Sequence, residues 1–190
     1  MTEDIEFFKQ VFGGAWITQG LWVAAELGIA DLLAQRPQTA SELASRTHAH
    51  GGALYRVLRA LASVGVFMED AQGRFSLTPR ANLLRSDMAG SQRAVAAMMG
   101  AEFHETWGVL LHSAQTGEPG FKSRYGTSFF QYMEKHPDRH AIYDAAMTGI
   151  HSAETEPVLA AYCFDAFRMV VDVGGGNGLT LAAILNRYSA

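Results

Sequence analysis

The fold class is set by the stretch Val170-Val171-Asp172-Val173-Gly174-Gly175-Gly176-Asn177-Gly178. Residues 169–173 form a short apolar run that is rich in β-branched side chains and carries one acid, which predicts a buried strand. The glycines at 174, 176 and 178 allow a sharp turn and a close approach to a ligand, because they carry no Cβ. Residues 180–186 place apolar side chains at helical spacing. We therefore expect a strand, a glycine turn and a helix, the unit that opens an α/β cofactor domain.

Several classes of cofactor bind at glycine turns of this kind. A dinucleotide fingerprint needs a third glycine at position 179, where the chain has Leu179, and a phosphate-binding loop needs a Gly-Lys-Ser/Thr sequence that is absent. The pattern D-x-G-x-G-x-G from Asp172 to Gly178 suits S-adenosylmethionine. A carboxylate can bind its amino group, and the N–H groups at a helix start can bind its carboxylate. An ordinary glycine-rich turn remains the alternative.

Residues 170–178 resemble motif I of the small-molecule O-methyltransferases of the plant caffeate and bacterial polyketide type. Further segments resemble the same family in the same order, namely 24–33, 54–61, 126–132 and 144–147. The resemblance implies a mainly α chain with an N-terminal winged helix-turn-helix dimerisation domain, further helices, and the truncated first βα unit of a Rossmann-like methyltransferase fold. It also implies S-adenosylmethionine as cofactor, a small aromatic or polyketide-like hydroxyl as acceptor, and a homodimer formed through the N-terminal helices.

Three regions are expected along the chain. Residues 1–87 form the winged-helix dimerisation domain, 88–168 a helical connector with the substrate-pocket helices, and 169–190 the start of the S-adenosylmethionine-binding domain. Residues 4–34 are expected to form two or three helices with apolar side chains on all sides, which indicates burial against a second subunit.

Within 37–79, local signals define the elements. Thr39 and Glu42 predict a capping box, and residues 53–64 predict a helix that Gly65 ends. Residues 66–69 and 74–77 alternate around a turn, which predicts a hairpin. Further along the chain the apolar spacing predicts helices over these ranges: 91–99, 105–114, 129–134, 138–150 and 156–162. Residues 120–126 are expected to form a loop.

Composition excludes several classes of function. The chain has 190 residues, 48% of them hydrophobic and 18% charged, with a net charge of −4. This balance gives no electrostatic reason to expect a nucleic-acid or anionic-membrane partner. Cys163 is the only cysteine, which excludes an internal disulfide and suits a reducing cytoplasm. The acidic start lacks the layout of a signal peptide, and polar residues interrupt the apolar stretch 11–33, so we expect a cytoplasmic protein without a membrane span.

A helix-turn-helix pattern also occurs in transcription regulators, and Arg56 and Arg59 lie where a recognition helix would be. However, residues 1–90 contain eight basic and nine acidic side chains, whereas DNA binding needs clustered positive charge. A winged-helix regulator and a non-catalytic dimerisation partner therefore stay as alternatives to the enzyme.

The resemblance implies most of the site residues. Asp172, Gly174, Gly175, Gly176 and Met147 are expected to bind the cofactor. The expected substrate pocket consists of Phe103, Trp107, Phe130, Tyr143 and Met147, and for each of these simple core packing is the alternative. The histidine base and the ribose-binding acid of the family lie beyond motif I, so no catalytic residue is assigned and this chain is expected to be inactive by itself. Pro137 separates His136 from His140, so no metal site is expected.

Overall fold

A computed structural model of the chain describes residues 2–188, which are mainly helical. The N-terminal half contains α1 Thr2–Glu26, α2 Ile29–Gln35, β1 Gln38–Thr39, α3 Ala40–Thr47, α4 Gly51–Ser63, β2 Phe67–Glu69, β3 Arg74–Leu77 and α5 Pro79–Asn82. The second half contains α6 Arg93–Gly100, α7 Glu102–Trp107, α8 Leu110–Thr116, α9 Gly120–Tyr125, α10 Phe129–Lys135, α11 Pro137–His151, α12 Thr155–Ala161 and α13 Leu179–Arg187.

The local signals of residues 37–79 are confirmed. The Thr39 hydroxyl accepts a hydrogen bond from the Glu42 backbone N–H at 3.2 Å, and the Glu42 carboxylate accepts one from the Thr39 backbone N–H at 2.7 Å. Gly65 follows α4 with a φ of 76°, a left-handed conformation that favours glycine. The predicted hairpin forms as β2 and β3, with Met68 opposite Ser76.

The small sheet is antiparallel, with β3 between β1 and β2. Strand β1 was not predicted, because it is only two residues long and pairs Gln38 with Phe75. Buried apolar side chains of α1–α6 and the sheet form one core, whose most deeply buried large members are Phe67, Phe75, Ile29, Leu43, Leu58 and Leu61. Gln38 is fully buried, and its side-chain amide donates to the Leu32 carbonyl at 2.6 Å and accepts from Arg46 at 3.1 Å.

Two predictions in the connector region are wrong. The single helix expected over 105–114 is two helices, α7 and α8, because the first ends at Gly108, whose N–H bonds to the His104 carbonyl. The loop expected over 120–126 is helix α9, which buries Phe121. The ring of Phe121 packs against the rings of Tyr125, Phe129 and Tyr132, so burial of an aromatic cluster outweighs the flanking glycines.

The predicted strand over 169–173 is also wrong. Met169, Val171 and Val173 are 79%, 73% and 91% exposed, and in the described part of the chain this segment pairs with no strand. A parallel strand needs a hydrogen-bonded neighbour, and residues 2–188 supply none beside it. The helix of the predicted unit does form as α13, which packs on α12. The Tyr188 hydroxyl at its end donates to the Tyr162 carbonyl at 3.3 Å.

The first half of α1 exposes a large apolar surface. Among the described residues of this helix only Ala24 and Ala25 are buried. The exposed large side chains, which we call the α1 aromatic stripe, are Ile5, Phe7, Phe8, Val11, Phe12 and Trp16. A surface of this kind indicates a protein interface.

None of the described helices is by itself both long and apolar enough to cross a bilayer. Only α1 and α2 together have that length and apolar content, and a bend of 61° separates them.

Candidate functional site

A cavity of about 860 Å³ lies between α11 and the glycine turn. It is lined by Phe130, His140, Tyr143, Asp144, Met147, Thr148, His151, Asp172, Gly174, Gly175, Gly176, Asn177, Leu179 and Thr180. The volume is in the range of small-molecule sites. The cavity brings together every residue predicted for the cofactor and acceptor sites except Phe103 and Trp107.

The glycine turn needs its glycines for two separate reasons. Gly174, Gly176 and Gly178 have φ values of 73°, 57° and 75°, which lie in the left-handed region where a Cβ is unfavourable. At Gly175 a Cβ would overlap the Asp172 carboxylate. The Asp172 side chain therefore lies against the turn, and the Gly178 N–H closes the turn by donating to the Gly175 carbonyl at 2.9 Å.

One side-chain hydrogen bond joins the turn to α11. The Asn177 Nδ2 donates to the Thr148 Oγ1 at 2.7 Å, and the Thr148 hydroxyl donates to the Asp144 carbonyl at 3.0 Å. The Asn177 Oδ1 also accepts from the Leu179 N–H at 3.2 Å, at the start of α13. Sequence reasoning missed Thr148 and Asn177. The two residues are 29 positions apart, and no local pattern marks such a pair.

One face of α11 supplies the opposite wall of the cavity. Tyr143 and Met147 are one turn apart on this face, as their spacing of four requires. The same face carries two histidines with acidic neighbours. His140 Nε2 lies 3.7 Å from an Asp144 carboxylate oxygen, and His151 Nδ1 lies 2.9 Å from a Glu154 carboxylate oxygen.

Aromatic contacts relate the remaining predicted residues to this wall. Phe129 contacts Tyr143 and Phe130, with ring centroids 4.9 and 5.2 Å apart. Phe103 contacts Phe129 edge-on at 5.9 Å, so Phe129 separates it from the rings that line the cavity. Trp107 is 60% exposed and does not line the cavity.

The chemistry of these groups fits S-adenosylmethionine. The Asp172 carboxylate can accept hydrogen bonds from an ammonium group, and the glycine backbone leaves room for a ligand beside it. The aromatic and thioether side chains opposite can cover a planar, apolar molecule. Among residues 2–188, no group of three or more His, Cys, Asp or Glu side chains could hold a metal ion.

Comparison with known proteins identifies the family. A family model described as the O-methyltransferase dimerisation domain matches residues 9–87, and one described as the O-methyltransferase domain matches residues 107–190. The chain belongs to the O-methyltransferase family. A phenazine O-methyltransferase from Lysobacter antibioticus is 46% identical over 176 residues, which cover 93% of this chain and 52% of that protein.

Solved O-methyltransferases share the fold. The crystal structure of LaPhzM superposes with a TM-score of 0.92 at 44% identity, covering 96% of this chain and 55% of the other. An O-methyltransferase from neocarzinostatin biosynthesis was solved with S-adenosylmethionine and 2-hydroxy-5-methyl naphthoic acid. It superposes with a TM-score of 0.76 at 37% identity, covering 89% of this chain and 53% of the other. The chain thus spans about half the length of the relatives it matches.

Proposed function

We propose that this chain contributes the acceptor wall and the cofactor loop of a small-molecule methyltransferase that uses S-adenosylmethionine. One observation carries the proposal. A single cavity is lined both by the Asp172–Gly176 turn and by the α11 face that carries Tyr143 and Met147. An unrelated glycine turn would have no reason to face an aromatic and thioether wall.

Each group has a distinct role in this proposal. The cofactor supplies a methyl group bonded to a positively charged sulfur. Asp172 binds the amino group of the cofactor, and Gly174–Gly176 let the backbone lie close to it. Tyr143, Phe130 and Met147 hold a planar acceptor in line with the methyl group and exclude water. Phe103 supports this wall from behind through the ring of Phe129. Trp107 has no role in this proposal, because it is exposed and does not line the cavity. No base is assigned within residues 2–188.

The acceptor is proposed to be an aromatic metabolite with a hydroxyl group. Relatives are named for the methylation of phenazine and 3-amino-4-hydroxybenzoate, and one solved relative holds 1,4-dihydroxy-2-naphthoic acid. Other relatives are named for N-methylation. An aromatic ring is therefore the feature that these named acceptors have in common, and the hydroxyl as acceptor atom rests on the resemblance to O-methyltransferases.

We propose further that residues 2–188 do not by themselves complete the site. The run 169–173 would have to pair with neighbouring strands to hold Asp172 in place. We expect the 190-residue chain to bind S-adenosylhomocysteine weakly or not at all and to transfer no methyl group.

We also propose that residues 37–79 form a winged helix-turn-helix used for dimerisation, with the α1 aromatic stripe covered by a second copy. The test is the substitution Phe12→Glu, because Phe12 is 63% exposed and a buried carboxylate would be costly. Sedimentation equilibrium should give a dimer for the unsubstituted chain and a monomer for Phe12→Glu. Met68→Glu, at an exposed strand position, is the control and should stay dimeric. A monomeric unsubstituted chain contradicts this part of the proposal.

The cofactor assignment is tested by calorimetry with S-adenosylhomocysteine on the full-length gene product, by which we mean the 190-residue chain continued by the rest of the O-methyltransferase domain. Asp172→Asn should lower the affinity at least tenfold, because a neutral amide replaces the carboxylate beside the ammonium group. Asp165→Asn, in the segment before the glycine turn and outside the cavity, should change the affinity less than twofold. No binding by the unsubstituted gene product would refute the assignment.

A further inference from the structure

A largely buried ion pair joins α7 to α11 outside the cavity. Arg139 Nε and Nη2 donate to the two Glu102 carboxylate oxygens, each at 2.6 Å. Among the ion pairs of the described residues this one is the least exposed, with side-chain exposures of 19% for Arg139 and 9% for Glu102. A two-point bond from a planar guanidinium fixes orientation as well as distance.

The two partners lie beside the proposed acceptor wall without being part of it. Arg139 begins the row Arg139, Tyr143 and Met147, whose spacing of four residues puts them on one side of α11. Glu102 directly precedes Phe103, which reaches Tyr143 through the ring of Phe129. Neither Glu102 nor Arg139 lines the cavity.

The ion pair supplies what the aromatic contacts lack. Edge-to-face ring contacts have preferred angles, but each contributes little free energy, so the row of rings from Phe103 to Tyr143 by itself holds the axial position of α11 loosely. The bidentate bond does fix it. Glu102 also raises the pKa of the Arg139 guanidinium above its usual value, so Arg139 stays charged.

We propose that Glu102 and Arg139 are positioning residues that set the place of Tyr143 against the acceptor. This inference rests on the proposed methyltransferase function. The other end of α11 is tied to the glycine turn through Thr148 and Asn177. Loss of the ion pair should therefore change acceptor binding and leave cofactor binding unchanged.

The variants are chosen so that the protein still folds. Removing one partner leaves a buried unpaired charge, which is strongly destabilising, whereas removing both charges is often neutral. The test variant is therefore Glu102→Gln combined with Arg139→Met. Arg139→Lys keeps the charge and loses the two-point geometry. The control is Glu105→Gln with Arg124→Met, an exposed pair that joins α7 to α9.

Steady-state kinetics on the full-length gene product use 1,4-dihydroxy-2-naphthoic acid as acceptor probe. The double variant should raise the KM for this acceptor at least tenfold, and Arg139→Lys should raise it by a smaller factor. The Kd for S-adenosylhomocysteine should stay within twofold, and the control pair should change neither value. An unchanged acceptor KM in the double variant overturns the inference, and so does an equal loss of cofactor affinity.

A second measurement separates this inference from the proposed function. If the unsubstituted gene product methylates neither this probe nor phenazine-1-carboxylate, the proposed function fails. Hydrogen–deuterium exchange of the ligand-free protein then tests the positioning role of the ion pair separately. The amides of 143–147 should exchange at least tenfold faster in the double variant than in the control variant. Equal exchange rates refute the positioning role.

Discussion

Replacing Gly149 by alanine tests how tightly α11 is packed. At this position α11 comes so close to the segment just before α6 that a Cβ would lie 2.5 Å from the Ser91 carbonyl oxygen. The Gln92 side-chain amide also donates to the Gly149 carbonyl at 2.9 Å. An ordinary contact would require the two segments to separate by roughly 1 Å. Because the clashing atom belongs to the backbone, it cannot rotate away.

Two opposing effects set the change in the free energy of unfolding that Gly149→Ala causes. Alanine is favoured over glycine inside a helix by about 1 kcal/mol. Overpacking costs about 1–3 kcal/mol, and a backbone clash places Gly149→Ala in the upper part of that range. We therefore expect a net loss of about 1–2 kcal/mol in the free energy of unfolding.

The assay is urea unfolding followed by circular dichroism, at two protein concentrations so that subunit dissociation is recognised. Gly52→Ala in α4 is the matched control, since a Cβ built there would meet only the His50 ring, at an ordinary contact distance of 3.4 Å. It should gain about 0.5–1 kcal/mol from helix propensity. A Gly149→Ala variant as stable as Gly52→Ala would refute the close packing of α11 on the segment before α6.

Three further predictions concern the core, the capping box and the glycine turn. Phe75→Ala should lower the free energy of unfolding by about 3–5 kcal/mol in the same assay, because Phe75 is fully buried. Hydrogen bonds from the Thr39 N–H, Arg36 and the Thr39 hydroxyl lower the Glu42 pKa from 4.5 to about 2. A carboxyl whose pKa is lower in the folded than in the unfolded protein stabilises the fold at pH values above its unfolded-state pKa, and this stabilisation is lost as the pH falls through the folded-state pKa. The stability advantage of the unsubstituted protein over Glu42→Gln should thus be full above pH 4.5 and vanish near pH 2, and an advantage that does not depend on pH would contradict it. In the full-length gene product, Gly178→Ala should weaken S-adenosylhomocysteine binding about tenfold, because a left-handed alanine costs about 1–2 kcal/mol. Unchanged affinity in calorimetry would show that the turn need not keep its conformation.

Local signals predicted the parts of the fold that local interactions decide. Thr39 and Glu42 are three residues apart, and their reciprocal hydrogen bonds need nothing from the rest of the chain. The error at α9 has a local cause too. The glycines at 120 and 126 indicated a loop, although Phe121 and Tyr125 have the spacing of neighbours on a helix.

Non-local interactions explain what could not be predicted. Val170 and Val173 have strand-like side chains, but a strand also needs partners, which the sequence of a single segment cannot reveal. Glu102 and Arg139 are 37 residues apart, and nothing in either neighbourhood marks them as a pair. The cavity residues were named because the motifs resemble a family, and that resemblance carried the information that spacing lacks.

The unpaired run 169–173 has a consequence for how the protein is made. Helices and hairpins, whose contacts are close in the sequence, form early, while pairing between distant strands is slow. During synthesis α1 to α12 can thus fold while these valines still offer free N–H and C=O groups to any other extended chain, including the same segment of a second copy. Expression at low temperature should for that reason raise the soluble yield of the 190-residue chain more than it does for a Val171→Lys, Val173→Lys variant, whose charges oppose intermolecular β-pairing.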